Sequence, residues 1–249
     1  MEAIPFLTIT IDILQQLQKQ AERIRTVADK AAATIAAGHW VRMFGSGHSV
    51  LPIQDCFPRY GGYVGFYPIM DPRLMWTTVS GPGGAEELLW LERQEHYMDV
   101  FLRHTHWNRE DVLIVVSHGG QNAAPVEVAL AGKRAGLYVV AITSEENHLY
   151  KPATHSSGKK IGDIADVTLF NGVPSEDAVI SVPGVHGNVG GVSTLSAIAL
   201  LQALVSETAL IMAEQGYYVQ PFAAPNVEGV RPRNNEEVYE EFRHRLNHT

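Results

Sequence analysis

The sequence predicts an α/β protein in which helices cover both faces of a mainly five-stranded parallel sheet, giving a three-layer α-β-α sandwich. Short apolar runs of strand length alternate with longer segments of helical periodicity along the chain. Two of these runs end abruptly in turns rich in glycine and serine, as buried parallel strands often do. The 249 residues suffice for one substantial core, so we expect a single domain over residues 1–249.

The predicted strands are short and mostly apolar, and cover residues 40–44, 63–69, 111–116, 138–143 and 166–170. The predicted helices repeat apolar side chains every three or four residues, and cover residues 8–37, 85–104, 124–135 and about 192–215, with a shorter helix from about residue 51. The tail from about 221 to 249 begins irregular and becomes charged and helical. In such parallel sheets ligands bind beyond the carboxyl ends of the strands.

Composition restricts the classes of partner. A net charge of −8 argues against a nucleic-acid-binding protein, which needs clustered Lys and Arg. Small anions remain possible ligands, because backbone amides bind them whatever the overall charge. Cys56 is the only cysteine, so no disulfide forms within the chain. We see no secretory signal, and no stretch approaches the roughly 20 apolar residues of a membrane helix, so we expect a cytoplasmic protein without a membrane partner.

Two loops carry the residues expected to bind a ligand. The first loop, residues 45–49, reads Gly45-Ser46-Gly47-His48-Ser49, and the second loop, residues 117–122, reads Ser117-His118-Gly119-Gly120-Gln121-Asn122. Each follows a predicted strand and precedes a helix. Glycine lets the backbone approach a ligand closely, and exposed amides and hydroxyls donate hydrogen bonds to phosphate oxygens. The pattern therefore predicts an anion site made without lysine.

Other cofactor and metal sites are not indicated. Neither loop completes the Gly-x-Gly-x-x-Gly pattern of dinucleotide-binding proteins, since the sixth positions are Val50 and Asn122. The phosphate-loop pattern of nucleotide triphosphatases is also absent. No compact set of metal ligands such as His-Glu-x-x-His occurs. We therefore predict no cofactor and no metal.

The chain resembles the sugar isomerase (SIS) domain family. The first loop resembles the family's Gly-x-Gly-x-Ser turn, and residues 111–143 resemble its central stretch of strand, Ser-x-Ser-Gly-x-Asn loop, helix and strand. Residues 155–160 and the segment around Pro221 resemble a branch of SIS proteins related to phosphosugar and phosphoheptose isomerases. One departure is that Gly119 replaces the second serine of the family loop. The resemblance implies a flavodoxin-like fold with a homodimer.

The resemblance also implies site residues. The phosphosugar is expected to contact the two loops and the segment 155–157; the binding residues are Gly45, Ser46, Gly47, His48, Ser49, Ser117, Gly119, Gly120, Gln121, Asn122, His155, Ser156 and Ser157. Proton transfer between sugar carbons needs a carboxylate or a histidine. Glu92 or Asp55 is the expected base and His186 the expected assistant, with Glu95 a weaker alternative to Glu92.

The function implied is aldose–ketose isomerisation of a phosphorylated sugar in carbohydrate metabolism. Two alternatives stay open. One is a lyase resembling N-acetylmuramic acid 6-phosphate etherase, in which a carboxylate removes a proton and a lactyl ether is expelled. The other is a sugar-phosphate sensor without catalysis, which resembles the SIS modules of transcription regulators.

Overall fold

A central sheet of five parallel strands organises the molecule, and the computed structural model describes residues 3–248. The strands are β1 (Val41–Gly45), β2 (Phe66–Ile69), β3 (Val112–Val116), β4 (Tyr138–Thr143) and β5 (Val167–Phe170). Their order across the sheet is β2-β1-β3-β4-β5. Every residue of β1 and β3 is buried, since these strands lie inside the sheet and are covered on both faces. The predicted fold class is confirmed.

Ten helices are described between residues 3 and 248. They are α1 (Pro5–Leu17), α2 (Ala21–Ala36), α3 (Val50–Gln54), α4 (Ala85–Leu91), α5 (Tyr97–Phe101), α6 (Ala123–Arg134), α7 (Glu145–Tyr150), α8 (Ile161–Ile164), α9 (Ser193–Glu214) and α10 (Asn234–His248). One face of the sheet packs against α2, α3, α9 and α10, and the other packs against α5, α6 and α8. The core therefore has two apolar layers with the sheet between them.

Two of the predicted helices are each divided in the structure. The helix predicted over 8–37 becomes α1 and α2, joined by the short 3-10 turn Gln18–Gln20. The helix predicted over 85–104 becomes α4 and α5, and His96 between them has a positive φ of 69°. His96 directly precedes α5, and a left-handed residue interrupts a continuous helix, which the apolar repeat of the sequence does not reveal.

A second, two-stranded sheet was not predicted. It is an antiparallel hairpin of β6 (Ala178–Ser181) and β7 (Asn188–Gly191), separate from the main sheet. All four residues of β7 are exposed. Because the glycine-rich hairpin has no buried face of alternating apolar residues, the usual strand pattern is missing.

Helix α9 is long and apolar enough, by length and composition, to cross a membrane, and 44% of its most apolar window is buried inside the molecule. The expectation that no stretch approaches this length was therefore wrong. The core helix of a soluble protein passes the same test, so this single helix is weak evidence for a membrane span. Here α9 packs along α2 and α3.

Candidate functional site

The first loop leaves the carboxyl end of β1 in a turn that only glycine permits at its start. A Cβ on Gly45 would lie 2.4 Å from the backbone oxygen of Ser49, well inside contact distance. The Ser49 amide donates to the Ser46 carbonyl at 3.1 Å, which closes the turn ahead of α3. Gly47 has a φ of 59°, in the left-handed region that favours glycine.

The second loop leaves the neighbouring strand β3, so the two loops lie side by side at one edge of the sheet. The Gly120 amide donates to the Ser117 hydroxyl oxygen at 3.1 Å, which leaves the hydroxyl proton able to donate elsewhere. Gly120 has a φ of 67°, and a Cβ there would lie 2.8 Å from Thr143 Oγ1. By contrast, a Cβ on Gly119 would meet only Gln121 Cγ, at 4.0 Å. Packing therefore does not force the glycine that replaces the family serine.

Glu92 joins the two loops. Its carboxylate accepts a hydrogen bond from the Ser46 hydroxyl at 2.7 Å and another from the Asn122 side-chain amide at 2.6 Å. The residue lies just after the last turn of α4 and is only 7% exposed. The structure thus brings together three predicted site residues from three separate stretches of chain.

Burial and hydrogen bonding act on the Glu92 carboxylate in opposite directions. Burial raises the pKa of Glu92 above its ordinary value, because the charged form loses water, while the bonds from Ser46 and Asn122 partly lower it. A carboxylate with a raised pKa accepts a proton more readily than an exposed one. The same bonds mean that Ser46 and Asn122 already have a partner other than a ligand.

His118 belongs to the second loop, although the sequence analysis did not select it as a binding residue. Its Nε2 lies 3.3 Å from the Ser175 carbonyl oxygen, and its Nδ1 lies 3.1 Å from the Asn171 side-chain nitrogen. These partners place the proton on Nε2, since a carbonyl only accepts and an amide nitrogen only donates. Burial lowers the pKa of His118, which favours the neutral ring. Its position inside the second loop was the available signal.

The segment 154–157 lies against the second loop. Thr154 Oγ1 donates to the Gln121 carbonyl at 2.7 Å. The Ser156 amide donates to Glu95 Oε1 at 2.7 Å, and the Ser156 hydroxyl also bonds the Glu95 carboxylate. Glu95 follows Glu92 by less than one helical turn of sequence. Hydrogen bonds from Thr154 and Ser156 therefore hold this segment both to the second loop and to Glu95.

His155 lies between two carboxylates. Its Nε2 is 3.8 Å from Glu95 Oε2 and 3.7 Å from Glu127 Oε1, and its side chain is 8% exposed. Its Nδ1 accepts from the Ser157 amide at 3.1 Å, which directs an Nε2 proton towards the carboxylates. The imidazole is thus oriented from both sides.

Lys160 anchors the end of this segment. It is 7% exposed, and its Nζ donates to the carbonyls of Asn147 at 3.2 Å and Lys151 at 2.7 Å, and also to that of His148. These carbonyls lie at the C-terminal end of α7, where a helix leaves its acceptors unsatisfied. The lysine therefore fixes where the segment 151–160 returns to the core.

Two predicted catalytic residues lie elsewhere. The Asp55 carboxylate bonds Arg59 and accepts from Gln202 Nε2 at 2.8 Å, so its partners lie just after α3 and on α9 rather than in either loop. His186 is exposed in the turn between β6 and β7, not in a loop leading directly into the last large helix. His48 is exposed as well, although it belongs to the first loop.

One group of possible metal ligands occurs among residues 3–248, formed by His96, Asp99 and Glu127. Both Glu127 oxygens, however, accept backbone N–H groups at the start of α5, one from His96 and one from Met98 at 3.1 Å. These are the amides that a helix leaves unpaired at its N-terminus. The geometry therefore explains Glu127 as a helix cap supplied from α6.

Comparison with known proteins identifies relatives over most of the chain. A family model described as an SIS domain matches residues 6–144. A UPF0309 protein of Halalkalibacterium halodurans is 35% identical over 224 residues, which is 90% of this chain and 88% of that protein. A UPF0309 protein of Geobacillus sp. strain WCH70 is 32% identical over 230 residues, which is 92% of this chain and 91% of that protein.

Solved structures show more distant likeness. A Methanococcus jannaschii protein, for which a 3-hexulose-6-phosphate isomerase function was inferred, aligns over 84% of this chain and 92% of its own, with 13% identity and a TM-score of 0.46. The Vibrio vulnificus NanR protein complexed with ManNAc-6P aligns over 98% of this chain and 68% of its own, with 15% identity and a TM-score of 0.46. At these values neither likeness bears on the activity of this chain.

Proposed function

Because the chain belongs to the SIS-domain family, we propose that it binds a phosphorylated sugar at the carboxyl edge of its sheet and interconverts aldose and ketose forms. The observation that carries this proposal is Glu92, a buried carboxylate bonded to both loops. Buried ionisable groups are costly, and they concentrate where chemistry needs them. A surface charge on α4 would not require this arrangement.

The phosphate of the sugar is assigned mainly to the second loop. Ser117 offers a hydroxyl proton, and the glycines beside it let backbone amides approach an anion closely. Ser46 and Asn122 instead orient the Glu92 carboxylate, as their hydrogen bonds indicate. This division differs from the sequence-based expectation, in which both residues bind phosphate.

The reaction needs one base that serves two carbons. Glu92 removes the proton from the hydroxyl-bearing carbon next to the sugar carbonyl; the C–H electron pair forms a C=C bond, and the carbonyl π pair moves onto its oxygen to give an enediolate. The hydroxyl proton passes from the second oxygen to the first, the second oxygen becomes the new carbonyl, and protonated Glu92 returns its proton to the former carbonyl carbon, which completes the exchange of aldose and ketose. Burial, which raises the pKa of Glu92, strengthens it as the base. Asp55 and His186 are not assigned a step, because Asp55 bonds Arg59 and Gln202 instead, and His186 is exposed in the turn between β6 and β7.

The experiment combines binding with exchange. A panel of triose to heptose phosphates and the matching free sugars is screened by thermal shift, since a ligand that binds only the folded state raises the melting temperature. Isomerisation of each ligand that binds is then followed in D2O. Glu92→Gln is expected to lower turnover and deuterium incorporation by roughly 100-fold or more with nearly unchanged affinity. Glu86→Gln, an exposed change on the same helix, is the matched control.

Each other outcome contradicts a different part of the proposal. Binding without turnover or exchange by the wild type would indicate a sugar-phosphate sensor. Release of lactate from a lactyl ether would indicate an etherase. Equal stabilisation by phosphorylated and free sugars would remove the role of the anion site, and full activity of Glu92→Gln would exclude Glu92 as the base.

We also propose that residues 1–249 act as one domain within a cytoplasmic homodimer. The lone cysteine, Cys56, is buried, and burial raises the pKa of its thiol to about 12, so it is inert as a nucleophile. Helices α1 and α9 retain the exposed large apolar side chains Leu7, Ile11, Leu195 and Leu210, and Ile4, directly before α1, is exposed as well. Packing of these helices against a second copy would remove that apolar surface from water.

A further inference from the structure

Trp76 lies against the first loop, although it comes from the segment between β2 and α4. The indole ring meets the His48 ring edge-on, with 4.5 Å between centroids and an interplanar angle of 77°. A Cβ on Gly47 would lie 3.4 Å from Trp76 Cζ3. The indole therefore covers the glycine of this loop while remaining partly open to solvent, since the residue is half-buried.

The segment that carries Trp76 is fixed on both sides of it. Before it, Leu74 is fully buried in the core, and the Asp71 carboxylate accepts from the Arg73 amide at 3.0 Å. After it, the Thr77 amide donates to the Gly83 carbonyl at 3.1 Å. The backbone on both sides of Trp76 is therefore held in place.

Trp76 also lies beside the residues proposed for chemistry. Gly47, which it covers, directly follows Ser46, the donor to Glu92 at 2.7 Å. Leu88 Cδ2 lies 3.7 Å from the same Gly47 Cβ position, and Leu88 precedes Glu92 by one turn of α4. The Trp76 ring, the Leu88 side chain and the Glu92 carboxylate thus all lie beside the first loop.

We propose that Trp76 forms the apolar wall of the sugar site and packs against the carbon skeleton of the bound phosphosugar, which rests on the proposed function. A phosphosugar has a charged end, polar hydroxyls and apolar C–H faces. The second loop serves the charged end, and the open surface of the indole serves the C–H faces. Ligand sites commonly pair a few polar groups with an aromatic side chain, and a rigid ring costs little conformational entropy.

The test compares ligands that share only the phosphate. Affinities for inorganic phosphate and for the sugar phosphates of the panel are measured by thermal shift or calorimetry. Trp76→Ala is expected to weaken sugar-phosphate binding by about tenfold, on the order of one well-packed aromatic contact, and to leave inorganic phosphate unaffected. Trp90→Ala is the matched control, because Trp90 lies on α4 with 62% exposure. It should change neither affinity.

A conservative variant tests the same point if the alanine variant folds poorly. In the wild type, sugar phosphate should alter tryptophan fluorescence, and Trp76→Phe should abolish that change while keeping most of the affinity. Unchanged sugar-phosphate affinity in Trp76→Ala overturns the proposal. Equal loss for sugar phosphate and inorganic phosphate overturns it too, because that indicates damage to the loop. If the wild type binds no sugar phosphate, the proposed function itself fails and the role of Trp76 fails with it.

Discussion

At the scale of single residues, Glu92 combines a buried position with a charge that its neighbours favour. The resemblance to the SIS family was enough to nominate it from the sequence. The hydrogen bonds that Ser46 and Asn122 donate to it could not be predicted, because those partners come from loops far away in the chain. The same limit applies to His118 and His155, whose partners become neighbours only when the strands assemble.

The raised pKa of Glu92 predicts how stability depends on pH. Because the folded-state pKa of Glu92 lies above the ordinary value of 4.5, the folded protein binds this proton more tightly than the unfolded chain does. The stability that this proton binding contributes is fully present below pH 4.5 and is lost as pH rises through the folded-state pKa. Glu92→Gln cannot take the buried charge. Its free energy of unfolding should therefore rise relative to wild type as pH increases above 4.5, and then level off.

Denaturant unfolding of both proteins from pH 4 to pH 8 checks this. The Ser46 hydroxyl and the Asn122 amide can each reorient to bond a glutamine, so the variant keeps the contacts. Glu86→Gln on the exposed side of α4 should show a difference that stays flat with pH. If the difference in unfolding free energy between Glu92→Gln and wild type also stayed constant with pH, the charged form of the Glu92 carboxylate would not destabilise the folded protein.

At the scale of elements, periodicity located helices well and their breaks poorly. The apolar repeat runs through residues 85–104, yet the structure has a break after Leu91. Glu127 caps the following helix from across the fold, and the chain turns at His96. Contacts of this kind override local preference, which acts as a weak prior. The strands were easier, because short length, flanking glycines and many β-branched residues distinguish a buried strand from a helix segment where periodicity alone does not.

We expect the hydrogen bonds of Lys160 to hold the segment 151–160, which carries His155, in place. Lys160→Met keeps much of the side-chain volume but leaves its carbonyl partners on α7 without the ammonium donor. Loss of buried hydrogen bonds to one partner costs about 1–3 kcal/mol of unfolding free energy. Lys159→Met, at the exposed neighbouring position, should stay within about 0.5 kcal/mol of wild type.

Urea unfolding measures both variants, and amide hydrogen exchange locates the effect. Faster exchange at Ser156 and Ser157 in Lys160→Met, with unchanged exchange in β3, is the expected result. Uniformly faster exchange throughout the sheet would contradict a local anchoring role for Lys160.

At the scale of the whole molecule, the parallel sheet and its layers followed from alternation of strands and helices, but the strand order did not. The order β2-β1-β3-β4-β5 places the first and second loops after adjacent strands, as the proposed shared site requires. The hairpin of β6 and β7 lay outside prediction because its second strand is wholly exposed.

Assembly can be tested on the exposed face of α9. Leu210 is 58% exposed there, and Leu149 on α7 is 57% exposed. In the proposed dimer Leu210→Glu would bury a charge at the contact, so sedimentation equilibrium should show a shift from dimer towards monomer. Leu149→Glu should leave the mass unchanged. A wild-type mass equal to one chain would contradict the dimer.

The position of β1 between β2 and β3 affects how the chain emerges from the ribosome. Val41–Gly45 is synthesised well before its second neighbour, Val112–Val116. At elongation rates of about 5–20 residues per second, that neighbour follows by roughly 3–13 seconds, and α9 follows later still. Once β2 has been synthesised, the edge of β1 that will pair with β3 still has no partner, and unpaired apolar strand edges favour aggregation of nascent chains. We expect the sheet to assemble late in synthesis, with chaperones shielding the first third of the chain until then.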